Sequence, residues 1–218
     1  MKKYVCEFLG TFFLVFAGTG SIIANDSFAG TISHVGIALS FGLVVMSVIY
    51  AIGDTSGAHI NPAVTIAFFC IRRLNRYDMV MYIIFQCLGA ILASFTLSII
   101  FPLNKFLGGT VPNISIYGAF IYEYLLTFFL MFVILSVATG SKEKGLMAGI
   151  AIGGTVALEA LFAGPVTGAS MNPARSLGPA IISGQWHMLW LYVLAPIFGA
   201  ASAIPACKYL HLNCCTRQ

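Results

Sequence analysis

The tripeptide Asn-Pro-Ala occurs twice in the chain, as Asn61-Pro62-Ala63 and as Asn172-Pro173-Ala174. Asparagine is a good helix N-cap and proline is favoured in the first turn, so each copy predicts the start of a helix. A helix N-terminus carries about half a positive charge, and two such ends that face each other would repel cations. The side-chain amides of Asn61 and Asn172 would instead donate hydrogen bonds to the oxygen of a neutral molecule such as water or an alcohol.

The chain around these tripeptides is strongly apolar. Of its 218 residues, 59% are hydrophobic and 8% are charged, whereas a soluble domain is about 45–50% apolar and about 25% charged. This composition predicts an integral membrane protein and excludes a soluble enzyme, a disordered chain and a nucleic-acid-binding protein. The net charge of +4 is therefore interpreted as a signal of membrane topology and not as a basic partner surface.

Six apolar segments are long enough to cross a bilayer as helices, which needs about 20 residues. They cover about residues 5–24, 35–52, 80–101, 117–139, 147–163 and 187–208. Two shorter segments, at about 61–71 and 172–182, begin at the tripeptides and are too short to cross, so they predict buried core helices or re-entrant half-helices. Irregular backbone at membrane depth is tolerated only where it is buried or lines an aqueous cavity, and two copies favour a cavity.

The two halves of the sequence resemble each other. The chain reads CEFLGTFFLVF around Glu7 and YEYLLTFFLMF around Glu123, which are 116 residues apart, and the tripeptides recur at a similar offset of 111 residues. Each half holds three spans and one short segment, so the second half enters the membrane from the opposite face. We therefore expect a single membrane domain, 1–218, built from inverted repeats 1–110 and 111–218, whose two tripeptides meet at the midplane.

The basic residues predict the orientation of the chain. If six spans alternate in direction, nine of the 11 lysines and arginines lie on one side, which is expected to be cytoplasmic. Both termini are then cytoplasmic, and the protein is a multi-pass component of the cell (plasma or inner) membrane. The nine residues are Lys2, Lys3, Arg72, Arg73, Arg76, Lys142, Lys144, Lys208 and Arg217.

The segments SGAHINPAVT and TGASMNPARSLGPA resemble the two signature loops of the aquaporin (major intrinsic protein) family. The resemblance extends over essentially the whole chain. It implies an all-α membrane protein with six transmembrane helices and two re-entrant half-helices, and a passive channel for water and small uncharged solutes that excludes protons and ions. It also implies a homotetramer in the lipid bilayer with one pore per subunit, no cofactor, no metal and no enzymatic activity.

The resemblance assigns roles to individual residues. Asn61 and Asn172 match the central asparagines, and Arg175 matches the arginine of the outer constriction. An arginine within the membrane is costly, and it indicates a functional site independently of the resemblance. Glu7 and Glu123 match the glutamates that anchor the two loops. His59 matches a position that lines the cytoplasmic vestibule, although a packed histidine is the alternative.

The predicted selectivity filter consists of Phe41, Ala160, Ala169 and Arg175. Strict water channels typically carry histidine at the position of Ala160, so alanine predicts a wider and less polar opening that admits glycerol. The segment FAGPVTGASMNPARSLGPA is similar to nodulin-26-like channels and their bacterial relatives. That branch also conducts urea and the neutral hydroxides of boron, silicon and arsenic.

A strict water channel remains the alternative, because Phe41 is bulky and both Ser176 and Ala180 match the water-channel pattern. A secondary transporter also uses inverted repeats, but it needs a titratable or ion-coordinating residue at the midplane, where this chain offers amides. A membrane hydrolase needs a nucleophile beside a base, and neither is evident.

Two features depart from these patterns or stay open. Glu159 stands where relatives more often carry an uncharged residue. It is expected at the outer vestibule, at a subunit interface or at a partly solvated helix end. The adjacent Cys214 and Cys215 could carry a lipid or bind a metal.

Overall fold

The computed structural model describes residues 1–138 and 146–210, and within these ranges the chain is all-helical. The helices are α1 (Lys2–Ser27), α2 (Ser33–Ser56), α3 (Pro62–Cys70), α4 (Arg76–Ile100), α5 (Ile116–Ala138), α6 (Ala148–Thr167), α7 (Pro173–Ser183) and α8 (Leu189–Leu210). The predictions on Lys142, Lys144, Arg217 and the Cys214-Cys215 pair lie outside the described residues.

Six of these helices, all except α3 and α7, are long and apolar enough to cross a membrane, with 20 to 26 residues each. The predicted fold class of six spans and two half-helices is therefore confirmed. The helix ends differ from the prediction because helices continue past their apolar runs. α2 extends through Asp54 to Ser56, and α6 extends through Pro165 to Thr167.

The spanning helices pack in pairs, α1 on α4, α2 on α6 and α5 on α8. Small residues allow the backbones to approach closely at the crossings. A Cβ atom added to Gly42 would lie 2.6 Å from the carbonyl oxygen of Gly153. Gly89 lies against the backbone of Phe8, and Gly199 lies in the same way against Tyr124.

Each half-helix packs against a spanning helix of the other half of the chain. α3 contacts α8, and α7 contacts α4, in addition to contacts within its own half. The turns that lead into the half-helices are alike, because Gly57 and Gly168 end α2 and α6 with φ values of 84° and 85°. This left-handed conformation favours glycine and reverses the chain directly after each spanning helix. Both half-helices consequently begin deep inside the protein.

Candidate functional site

The two asparagines of the tripeptides cap the half-helices that follow them. The Asn61 backbone is extended (φ −155°), and its side-chain oxygen accepts a hydrogen bond from the Ala63 amide at 2.9 Å. Asn172 is also extended (φ −147°) and accepts hydrogen bonds from the amides of Ala174 at 3.0 Å and Arg175 at 3.4 Å. With proline next in sequence, each tripeptide is an N-cap followed by a first turn, as its residue types predict.

The same asparagines also join the two half-helices to each other. Asn61 Nδ2 donates a hydrogen bond to the carbonyl oxygen of Met171, and Asn172 Nδ2 donates to that of Ile60, both at 2.8 Å. Each amide thus uses one of its two hydrogens to hold the opposite loop. Both residues also line a cavity inside the protein. The second N–H of each side-chain amide therefore remains available to donate to a molecule in that cavity.

Glu7 of α1 holds the loop before α3. Its carboxylate accepts hydrogen bonds from the backbone amides of His59 at 3.0 Å and Ile60 at 2.7 Å, and from Gln86 Nε2 at 2.8 Å. The side chain is fully buried. Since a buried amide without a partner is costly, Glu7 stabilises a loop in which Ile60 has a φ of 43°.

Glu123 of α5 makes the equivalent contacts in the second half. It is also fully buried, and it accepts hydrogen bonds from the amides of Ser170 and Met171, both at 2.9 Å, and from the Thr167 hydroxyl at 2.7 Å. Met171 has a φ of 53°, close to that of its counterpart Ile60. Both carboxylates therefore face loop backbone, which is the contact that the anchoring prediction for Glu7 and Glu123 requires.

A cavity of about 420 Å³ runs past both asparagines. This volume lies within the range of about 300–1,000 Å³ that is typical of small-molecule sites. The wall is mostly apolar, and the polar side chains are few. Of the predicted site residues, those that line it are Phe41, His59, Asn61, Ala169, Asn172 and Arg175, whereas Pro62, Ala63, Pro173 and Ala174 are buried behind the wall.

Arg175 is the most strongly buried charge at the cavity, with 1% of its surface exposed. Its Nη1 donates a hydrogen bond to the carbonyl oxygen of Gly108 at 2.9 Å, and its guanidinium carbon lies 5.0 Å from the centre of the Phe41 ring. Nε and Nη2 have no hydrogen-bond partner within the described ranges. Arg175 therefore has two buried N–H groups without a partner in the described part of the chain, next to the ring of Phe41.

Ala160 differs from the other predicted filter residues. It is buried on α6 and is not part of the cavity wall, whereas Val156, one helical turn earlier, lines it. The structure therefore brings Phe41, Ala169 and Arg175 together at the cavity and leaves Ala160 behind. Its role in the filter stays a prediction.

The sequence and the fold are similar to those of known proteins. The sequence profile of the major intrinsic protein family matches residues 1–206. The chain belongs to this family. It is 49% identical to nodulin-26 of Glycine max over 201 residues, which cover 92% of this chain and 74% of that protein. It is 45% identical to aquaporin NIP1-1 of Oryza sativa subsp. japonica over 203 residues, which cover 93% of this chain and 72% of that protein.

A solved structure supports the same assignment. The X-ray structure of the aquaglyceroporin from Plasmodium falciparum superposes with a TM-score of 0.83 at 27% identity, and covers 96% of this chain and 98% of that chain. The identities to nodulin-26 and to aquaporin NIP1-1 confirm the predicted similarity to nodulin-26-like channels. This major intrinsic protein is a membrane channel for water and small neutral solutes.

His59 lines the channel cavity and is also packed. Its ring stacks on Phe68 with 4.6 Å between centroids and meets the edge of the Tyr82 ring at 5.2 Å. Nδ1 lies 3.2 Å from the Thr65 hydroxyl, so it can accept or donate there according to the tautomer. Lining and packing were alternatives for this residue, and the geometry provides both.

The burial of Glu159 contradicts one of the three locations expected for it. It is only 4% exposed, it lies inside α6, and Oε2 has no hydrogen-bond partner among the described residues. The expectation of a partly solvated helix end was wrong, because α6 continues for two further turns to Thr167 and Glu159 is buried inside the protein.

Several residues that shape this channel carried no assignment from the sequence. The carbonyl of Gly108 holds Arg175, and Gln86 Nε2 links Glu7 to the Thr65 hydroxyl at 2.9 Å. A backbone acceptor has no residue-type signature, so the sequence could not identify Gly108 as the partner of Arg175.

The sequence could have identified Tyr82 and Tyr192 as equivalent residues of the two halves, because they are separated by the same offset as Gly89 and Gly199.

Proposed function

We propose that this channel passes glycerol as well as water, and that urea and neutral hydroxides of boron, silicon and arsenic also fit. The observation that carries the proposal is the contrast between the two sides of the cavity near Arg175. One side offers Arg175, whose Nε and Nη2 have no hydrogen-bond partner among the described residues, and the other offers the ring of Phe41. A polyol needs both surfaces, because its hydroxyls accept hydrogen bonds while its C–H groups need an apolar contact.

Cations and protons are excluded by charge. Arg175 places a buried positive charge on the pathway, and the N-termini of α3 and α7 add their partial positive charges at Asn61 and Asn172. The carboxylates of Glu7 and Glu123 bind loop amides and do not line the cavity, so neither offers a cation a ligand there. A neutral molecule exchanges its hydration for Asn and Arg donors, whereas a cation does not.

The remaining expectations on assembly and topology belong to the same proposal. The chain is a single domain of inverted repeats, 1–110 and 111–218, with both termini in the cytoplasm of a cell membrane. Four copies form a homotetramer with one pore per subunit. Transport is passive and involves no cofactor and no enzymatic step.

The experiment is stopped-flow light scattering on proteoliposomes, with empty liposomes as the control. Water efflux is measured as shrinkage in an impermeant osmolyte, and glycerol entry as re-swelling. Fast rates for both support the proposal. Fast water efflux without glycerol entry contradicts it and favours a strict water channel, the alternative that the close contact of Phe41 with Arg175 supports. Saturable glycerol uptake that depends on a pH gradient would indicate a secondary transporter.

A further inference from the structure

The ring of Phe41 lies in a notch on α1 that exists because residue 18 is glycine. A Cβ atom built on Gly18 would lie 2.6 Å from both Cδ1 and Cζ of Phe41, and closer still to Cε1. Real Cβ contacts are essentially never shorter than 3.0 Å. Any side chain at this position therefore requires the ring to move. Gly18 does not line the cavity, so its effect on the pathway is indirect.

The neighbours of the ring indicate where it can move. Phe41 meets Gly18 of α1 through Cδ1, Cε1 and Cζ, and the same ring lines the cavity, where the guanidinium carbon of Arg175 lies 5.0 Å from the ring centre. Because the cavity is the open space next to the ring, we expect a ring that is pushed away from α1 to move into the solute pathway. The space between an aromatic face and the guanidinium then shrinks.

Thr19, the next residue of α1, lies close to Gly108. A Cβ atom added to Gly108 would lie 2.7 Å from Cβ of Thr19 and 2.9 Å from its carbonyl oxygen. The carbonyl of Gly108 in turn accepts the hydrogen bond from Arg175. Gly18 therefore lies next to Phe41, and Thr19 lies next to Gly108, whose carbonyl binds Arg175.

We propose that Gly18 is a specificity-determining residue of the channel, because the missing side chain keeps the Phe41 ring out of the pathway and thereby sets the largest solute that passes. The inference rests on the proposed function, since it assigns the width of the same pathway to a residue outside its wall. It extends the set of determinants from the lining residues to α1.

The test is Gly18→Ala in proteoliposomes, with glycerol and water permeabilities measured on the same preparation. The ratio of glycerol to water permeability should fall by roughly tenfold or more, since one methyl group in a closely fitting site changes discrimination by about that factor. Gly154→Ala is the matched control, because it also adds a methyl group to a helical glycine and nothing lies within 4 Å of the added atom. Its ratio should equal that of the unmodified protein.

Phe41→Val identifies the cause of the effect, because valine lacks all three ring atoms that the added methyl group would meet. The double variant Gly18→Ala/Phe41→Val should show the same glycerol-to-water ratio as Phe41→Val alone. This comparison also serves if Gly18→Ala by itself does not fold. A lower ratio in the double variant overturns the inference, and so does an unchanged ratio in a folded Gly18→Ala channel.

The unmodified protein separates this inference from the proposed function. If it conducts water but excludes both glycerol and urea, the proposed solute class fails. Gly18 is then tested on water permeability alone. That permeability should fall in Gly18→Ala and return in the double variant, and the absence of a fall overturns the inference.

Discussion

The two half-helices of the channel share a scaffold and differ in the side chains that they present to the cavity. Glu7 and Glu123 hold the two loops through backbone amides, and the loops have nearly the same backbone conformation. Tyr82 donates a hydrogen bond to the Ser56 carbonyl at 2.8 Å, and Tyr192 does the same to the Thr167 carbonyl at 2.6 Å. The two sets of supports therefore correspond, although the third donor to the carboxylate is Gln86 Nε2 in the first half and the Thr167 hydroxyl in the second.

The cavity side chains do not match. Three residues after the asparagine, the first half carries Val64 and the second carries Arg175, and both line the cavity. Two residues before the asparagine, the counterparts are His59 and Ser170. The scaffold therefore brings two helix N-termini together, and we propose that selectivity arises from the few cavity residues at which the halves differ.

Glu7 and Glu123 provide the most severe test of whether the two loops are held in the same way. Glu7→Leu and Glu123→Leu each leave two buried loop amides without an acceptor, at a cost of about 1–3 kcal/mol per amide. Both variants should lose several kcal/mol of stability, so that little folded protein is recovered from detergent. Fluorescence-detected thermal unfolding of purified protein measures the loss. Glu7→Gln and Glu123→Gln, which retain one acceptor oxygen, should be intermediate, and a large loss in only one half would contradict equivalent supports.

Arg175 and Val64 are counterparts in the cavity, and the second prediction removes the difference between them. Arg175→Val gives the second half the residue that Val64 provides in the first. Larger solutes should enter, and proton permeability should rise by about tenfold or more, because a buried positive charge no longer faces the pathway. A pH-sensitive dye trapped in proteoliposomes reports the proton flux. Val64→Ala is the control from the other half and should leave proton exclusion intact, whereas exclusion that survives Arg175→Val would remove the assignment of the barrier to this residue.

The filter prediction for Ala160 gives a smaller and more selective effect. Ala160→His should reduce glycerol permeability about tenfold relative to water, since an imidazole narrows the opening that one alanine leaves wide. The ratio of the two permeabilities in stopped-flow traces measures this effect and corrects for the amount of protein. An equal loss of both would show that Ala160, which the structure places behind the cavity wall, does not contribute to the filter.

The architecture could be predicted from the sequence because length and hydropathy determine what crosses a bilayer. The two tripeptides identified the half-helix starts because Asn and Pro carry local conformational information. Helix ends were predicted less well, since α2 continues through Asp54 after its apolar run stops. The burial of Glu159 was missed for a related reason, because a carboxylate in an apolar run was expected to lie near water.

The fine structure of the site depends on contacts between distant segments, which single-residue patterns do not encode. The notch at Gly18 has meaning only once α1 lies against Phe41 of α2. The carbonyl of Gly108 that holds Arg175 could belong to any residue type, so nothing in the sequence distinguishes it. Asn61 and Asn172 were predicted as donors to a solute, and their donation to the opposite loop emerges only from the packed fold.

The smallest expected effect tests the scaffold where the halves are most alike. Tyr82→Phe and Tyr192→Phe each remove one buried hydroxyl that donates to the carbonyl at the end of a spanning helix. Each should lower stability by about 1 kcal/mol, the typical net contribution of one hydrogen bond. Because the tyrosines lie in different halves and donate to different carbonyls, the losses should add within about 0.5 kcal/mol in the double variant. Thermal unfolding of the two single variants and the double variant measures this, and a loss confined to Tyr192→Phe would show that the second loop, which carries Arg175, depends on its support more than the first.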